Sequence, residues 1–216
     1  MTRVYDRAMQ NLLTFGVPSA QVNGALSWSC HLLRAITVEE KEAIDEATEV
    51  LQGFLEGTRI TQYLRNTEGA ITLEEAVEKT LGNGSKVLGV TGKPATGKST
   101  FCQYIQGQEI EIFDEMWPAG KTTEYERNLQ ALYCAKSQGK TIVAAACQLG
   151  DALVDTRLHF ISPPKIRLHH LQARMRESSD RLRVKYFEAY EVYDDLLFGL
   201  EKLNADVVVN NTEIRY

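Results

Sequence analysis

Hydrophobic positions along this chain change their period once. Up to about residue 85 they recur at helical spacing. In "ITVEEKEAIDEATEVLQGFLEG", residues Ala43, Ile44, Ala47, Leu51, Phe54 and Leu55 fall on one helical face. Thr37, with Glu40 three residues on, predicts a capping box at the head of that helix, and Gly57 predicts its stop. Thr72 with Glu75 predicts a second capping box, opening "TLEEAVEKTLGNG". The "GNG" at 82–84 predicts the end of that helix and a hinge into the strand-forming half of the chain. "AITVEE" and "AITLEE" recur 35 residues apart. Two copies cannot build a solenoid, and shared capping chemistry accounts for the match as well as duplication does.

From Ser85 the apolar residues come in short, near-continuous runs. "KVLGV" (86–90) leads into a glycine-rich loop, and "IEIF" (110–113) ends in Asp114-Glu115. "KTIVAAAC" (140–147) follows a helical stretch, "YERNLQALYCAKSQG". "RLHFIS" (157–162) runs into Pro163-Pro164, and "ADVVVNN" (205–211) follows a long helical stretch. Five short strands with helices between several of them predict a mostly parallel sheet covered on both faces. The expected architecture is α/β. A small all-α region, 1–84, precedes a three-layer domain with a five-stranded sheet, 85–216.

Composition narrows the function classes. The chain has 216 residues, 44% hydrophobic and 25% charged, within the range of an ordinary globular protein. The net charge of −5 speaks against a fold-wide basic surface for duplex DNA. Cys30, Cys102, Cys134 and Cys147 show no C-x-x-C spacing, and there are only four histidines. Reduced thiols in a cytoplasm are therefore expected, rather than a zinc site. No run predicts a signal peptide or a membrane span.

The chemistry concentrates in "GKPATGKS", Gly92 to Ser99, which matches G-x-x-x-x-G-K-[ST], the P-loop pattern. Its glycines let the backbone curl so that successive N–H groups face a phosphate, and the following helix, "STFCQYI", adds its positive end. Gly92, Lys93, Pro94, Ala95, Thr96, Gly97, Lys98, Ser99 and Thr100 are the candidate ATP-binding residues. Lys98 is placed to reach the β- and γ-phosphates, and the Ser99 hydroxyl to ligate Mg²⁺. Lys93 holds the second loop position. In ParA/MinD-like ATPases, whose loops resemble G-K-G-G-x-G-K-[ST], a lysine there reaches across a dimer. Here Pro94-Ala95 replace the two glycines, and Lys93 reads as a solvated loop residue.

Asp114 comes sixteen positions after Lys98, at the end of the second strand. A carboxylate there suits two tasks: holding Mg²⁺ through water, or taking a proton from an attacking hydroxyl. Capping the next turn is the purely structural alternative. Glu115 adds a second acid. "SPPKIRLHHLQARMRESSDRLRVKYFEAY" is strongly basic. From it Arg174, Arg176 and Arg181 are candidates for a transferred phosphoryl group, since arginine holds phosphate oxygens bidentately. His169 and His170 read as surface or packing residues. Tyr186, Phe187, Tyr190, Tyr193, Leu197 and Leu200 have helical spacing and read as core. Trp117 reads as a packed aromatic.

With these residues placed, the last 130 or so positions resemble P-loop kinases of the nucleoside-monophosphate kinase type. "GKPATGKST" is the specific part. "IEIFDE" ends in an acid much as dephospho-coenzyme A kinases do. "LHFISPPKIRLHHLQARMR" is similar to the fourth strand, turn and arginine-bearing lid of such kinases, and "ADVVVNNT" to their last strand. The resemblance implies transfer of the γ-phosphate of ATP to an acceptor. It puts Lys98 and Ser99 on phosphates and Mg²⁺, and Asp114 beside the acceptor. It puts one or two of Arg174, Arg176 and Arg181 over the transferred group, and Asn210 near the adenine. The resemblance does not reach residues 1–85, and residues 1–84 are expected to serve a protein partner or self-association.

A second reading starts from the same loop. In motor ATPases of the RecA/FtsK-like group, which pull on nucleic acid, an Asp-Glu pair holds Mg²⁺ and polarises water. Asp114-Glu115 and Gln148, ending a central strand as a γ-phosphate sensor, would supply those parts. A third reading is nucleotide binding without turnover. Strand order separates the first two. A kinase has order 2-3-1-4-5 with the Asp114 strand at the edge, whereas a motor carries a further strand outside it.

Overall fold

A computed structural model describes residues 3–82, 87–106, 110–114, 122–149, 154–174 and 178–212. The chain forms two compact units, one helical (residues 3–67 and 163–203) and one built on a sheet (68–162 and 204–212).

In the sheet unit the five expected apolar runs are all strands: β1 Val87–Gly92, β2 Ile110–Phe113, β3 Thr141–Ala145, β4 Thr156–Ile161 and β5 Val207–Asn210. Every pairing is parallel, and the order is β2-β3-β1-β4-β5. The strand that leads to Asp114 is therefore at the edge, two places from β1. The apolar runs are near-continuous because both faces are covered. Leu88, Val90, Val143, Ala145, Leu158, Phe160 and Val209 pack on one face against Leu73 and Ala76 of α5 (Leu73–Gly82) and Phe101, Cys102 and Ile105 of α6 (Lys98–Ile105). Val87, Ile142 and Ala144 pack on the other against Leu132 and Ala135 of α7 (Thr122–Ser137). This is a three-layer α/β arrangement.

The Thr72–Glu75 capping box forms as predicted. Thr72 N–H donates to Glu75 Oε2 at 2.7 Å, and Glu75 N–H to Thr72 Oγ1 at 3.2 Å. One residue earlier, Ile71 bridges β5: its N–H donates to Val208 O, and Asn210 N–H donates back to Ile71 O, both at 2.9 Å.

The Thr37–Glu40 box does not form. Helix α2 (Ser19–Val38) runs through Thr37, whose hydroxyl donates back to Leu33 O at 2.8 Å. Burial of Ala35 and Ile36 holds that turn helical. Glu39 then takes a left-handed φ of 56°, and Glu40 is the N-cap of α3 (Lys41–Gly57). The same hexapeptide thus ends one helix and opens another. The apolar face of α3 is the predicted one, with Ile44, Ala47, Leu51 and Leu55 buried and Ala43 and Phe54 partly so.

The division expected at 82–84 is not where the units part. Buried residues of α1 (Arg3–Thr14), α2, α3 and α4 (Ile60–Arg65) share one cluster with Ala189, Tyr190, Val192, Tyr193, Leu196 and Leu197 of α10 (Phe187–Leu197), and with Leu200 of a 3₁₀ turn, Gly199–Asn204. Helices α8 (Pro164–Ala173), α9 (Ser178–Lys185) and α10 therefore belong to the helical unit, whereas residues 68–82 belong to the sheet. Tyr190 and Tyr193 are core, as expected, whereas Tyr186 and Phe187 are only partly buried. Residues 83 and 84 of the expected hinge lie outside the described residues.

The helical unit also buries charge. Arg167, 1% exposed, donates from Nη2 to Asp194 Oδ2 at 2.8 Å and from Nη1 to Glu191. Arg183 donates from Nη1 to both Asp194 oxygens at 2.9 and 2.8 Å, and lies over the Tyr190 ring at 4.4 Å. Burial pushes the Arg167 guanidinium down from its ordinary value, and Asp194 opposes that shift. Asp194→Ala leaves Arg167 buried without that partner. It is expected to cost roughly 3–5 kcal/mol of stability, read as a lowered urea midpoint. A loss below about 1 kcal/mol would mean that water replaces the carboxylate.

Candidate functional site

All five strands run the same way, so their carboxyl ends share one edge of the sheet, the usual place for a ligand in an open α/β sheet. The loop leaving β1 curls there. Gly92 has φ 142°, Ala95 63° and Gly97 101°, all in or near the left-handed region. A Cβ on Gly92 would come within 2.4 Å of Phe160 O. Ala95 holds its conformation at a cost of about 1–2 kcal/mol for an L-residue. Hydrogen bonds hold the curl. Thr96, buried, donates from Oγ1 to Lys93 O at 2.9 Å. Lys98 Nζ donates to Gly92 O and Lys93 O, both at 2.8 Å. An ammonium has three donors. The Cys147 Sγ, 3.9 Å away, is a weak acceptor that a phosphate oxygen could displace.

Gly97 is the N-cap of α6, so the first N–H groups of that helix open onto the loop. Ser99 and Thr100 lie in its first turn, Ser99 exposed and Thr100 partly so. Lys93, Pro94 and Ala95 are each partly buried. Lys93 enters the site through its carbonyl, which accepts from both Thr96 and Lys98.

Asp114 is exposed in the turn directly after β2. Burial pushes the Cys102 thiol, on α6, up to about 12, with the Asp114 charge adding to the rise and Lys98 opposing it. One thiol thus feels both charges. Asp114 is also the one carboxylate among the described residues directly leaving a strand at this edge. The others are Lys93 after β1, Ala146 to Leu149 after β3, Ser162 after β4, and Asn211 and Thr212 after β5. Gln148 is buried at the exit of β3.

Among the described residues no group of three or more His, Cys, Asp or Glu forms a metal cluster. A Mg²⁺ site of the expected kind needs none, because a hydroxyl, waters and phosphate oxygens supply most ligands. The curled backbone, the helix start and the Lys98 ammonium suit a polyphosphate, and the Ser99 hydroxyl and Asp114 carboxylate suit its cation.

The other sequence candidates divide. Asn210 is the last residue of β5 and pairs with Ile161; its neighbour Asn211 reaches the loop, donating from Nδ2 to Thr96 O at 3.1 Å. Arg174 and Arg181 lie in the helical unit. Arg174, half exposed, pairs with Asp180 at 3.2 Å, and Arg181 is exposed on α9. His169 and His170 are half-buried, their rings edge to face at 6.3 Å. Glu115, Trp117 and Arg176 lie outside the described residues. Sequence reasoning missed Asn211 and Cys147. The doubled Asn ending β5 was a signal for the first, and nothing in one sequence marks the second.

No protein-family model and no curated protein matches the chain.

The Cys102 shift carries a sign. The thiol is neutral in both states below about pH 9, its ordinary value, so its contribution to stability is whole there. As pH rises from 9 toward 12 only the unfolded chain ionises, and that stability is lost. Between pH 8 and 10.5 the urea midpoint of the parent is expected to fall more than that of Cys102→Ala. Parallel declines would show that Cys102 is not the group responsible.

Proposed function

We propose that the protein is a P-loop phosphotransferase that moves the γ-phosphate of ATP to a hydroxyl-bearing acceptor. One observation supports this reading above others: strand order 2-3-1-4-5 with Asp114 at the carboxyl end of the edge strand. The motor reading asks for a further strand outside β2, and among the described residues β2 is the edge.

In the proposed step the acceptor oxygen attacks the γ-phosphorus and the bond to the β–γ bridging oxygen breaks. ADP leaves with that oxygen, and the acceptor's proton passes to the Asp114 carboxylate. Lys98 neutralises charge on the β- and γ-phosphates. The N–H groups of the loop and of the α6 start hold those phosphates without reorganising, which is where most of the rate comes from in phosphoryl transfer. Magnesium, when bound by the Ser99 hydroxyl and the phosphates, supplies further neutralisation. Asp114 holding the cation through water is the other form of the same proposal. Arg174, Arg176 and Arg181 are carried as lid candidates by the resemblance alone. Four free cysteines fit a reducing compartment, and we place the protein in the cytoplasm. Among the described residues no helix is long and apolar enough to cross a membrane.

The test is transfer from γ-labelled ATP with Mg²⁺ to a panel of nucleosides, nucleotides and other small alcohols. Lys98→Ala is expected to abolish transfer in a folded protein. Asp114→Asn is expected to lower it roughly 10²–10⁴-fold, with ATP affinity within a few-fold of the parent. Glu115→Gln is expected to be mild, and activity per subunit independent of protein concentration. If extra Mg²⁺ rescues Asp114→Asn, the carboxylate holds the cation. A Glu115→Gln protein that traps ATP without hydrolysis, from a parent active only when assembled, would replace the kinase reading with the motor one.

A further inference from the structure

Asn211 closes the run "ADVVVNN", and neither the loop motif nor the strand pattern gives it a role. It follows β5 directly, and its backbone N–H donates to Ile161 O at 2.9 Å, which ties it to the end of β4. Its side chain, 4% exposed, donates from Nδ2 to Thr96 O at 3.1 Å. The same amide covers Gly97, where an added Cβ would come within 2.2 Å of Nδ2.

The geometry of the peptide unit gives this contact a consequence. Thr96 C=O and Gly97 N–H belong to one planar trans peptide, so they point in opposite directions. Holding the carbonyl toward Asn211 aims the Gly97 N–H away from Asn211. The turn requires φ 101° at position 97, and glycine meets that requirement freely. The same freedom makes rotation of the 96–97 peptide plane cheap, and a loop that must present N–H groups needs that rotation stopped. A donor fixed to the sheet stops it without occupying the loop's inner side.

We propose that Asn211 is a positioning residue for the phosphates of a nucleoside di- or triphosphate: it fixes the Thr96–Gly97 peptide plane so that the Gly97 N–H faces the phosphate. The inference rests on the P-loop reading above and adds to it the residue that sets the loop. It acts on the phosphate end of the ligand and not on the base.

The experiment measures binding of ATP, ADP and AMP to the full chain by a fluorescent ATP analogue and competition, alongside melting without nucleotide. Asn211→Ala is expected to weaken ATP and ADP roughly 3- to 10-fold, the loss of one hydrogen bond. AMP binding should change far less. Asn211→Asp sets a carboxylate against the Thr96 carbonyl and is expected to weaken ATP further, by about tenfold or more. A structural role alone would lower the melting temperature and leave the affinity of the folded protein intact, and that result overturns the proposal. So does equal weakening of all three nucleotides. If Lys98→Ala has lost ATP binding while both Asn211 variants keep the parent's affinity, the inference falls and the P-loop reading stands. If Lys98→Ala binds ATP like the parent, both fall. Should Asn211→Ala fail to fold, the Gly97 amide resonance of the ¹⁵N-labelled parent decides: it is expected to shift on adding ADP, and a stationary resonance overturns the proposal.

Discussion

The turn from β1 into α6 is the constraint on which the rest of the sheet unit depends. Five residues, 93–97, must reverse the chain tightly enough for Lys98 Nζ to reach the carbonyls of Gly92 and Lys93. That reversal needs left-handed backbone at Gly97 and Ala95, and it needs Gly92 against the β4 backbone with no side chain between. Alanine at 95 bears a conformational cost that glycine would not. The cost is tolerated because Thr96, Lys98 and Asn211 each bond the loop's carbonyls. Strain of this kind persists where the surroundings over-determine the conformation, which is a property of ligand clamps.

The legibility of each feature in the sequence depends on the range of the forces behind it. The five strands were legible because each is apolar over its whole length, a pattern that burial on both faces imposes. The loop was legible because its spacing is chemical. The Thr37–Glu40 box was misread because its residue types matched while the preceding turn, carrying Ala35 and Ile36, had a core to fill. Capping is worth about 1 kcal/mol, and burying an aliphatic side chain about 1.5–3, so the core decides. The division into units was misread for a related reason. Composition shifts at Ser85, yet Ile71 pairs with β5 and α10 packs with α3, contacts that span far more sequence than any local pattern. The contact from Asn211 to the loop was not legible. Pattern reasoning finds the end of a strand, whereas a side chain's direction at that end is set by register, here Ile161 opposite Asn210.

The interleaving has a physical consequence. The helical unit is made from residues before β1 and after β4, and the sheet unit is completed only when the chain returns at 204–212. Neither core can close on a continuous segment. β5 is the last of the described strands, and it carries both the Ile71 bridge and Asn211. The carboxyl-edge geometry is therefore finished by the last strand in sequence, through contacts of high sequence separation, which form slowly relative to local ones. Residues 85–216 taken alone would lack both Ile71 and the partners of α10.

Under the proposed function, Asp114 is singled out by what the other strands supply at the sheet edge. Phosphoryl transfer to a hydroxyl needs somewhere for the acceptor's proton to go. β3 lies beside β1 and would be the nearest supplier. Its exit is Ala146, Cys147, Gln148 and Leu149, which offers a thiol and an amide but no carboxylate. β4 and β5 exit through Ser162 and Asn211. Among the described exits a carboxylate comes only from β2, one strand further out. Asp114 is therefore offset by one further strand spacing, close to 5 Å, from where an acid on β3 would stand. An acid on β3 would sit against the lysine and pair with it. Under the proposed function, that offset suits Asp114 to the acceptor's proton.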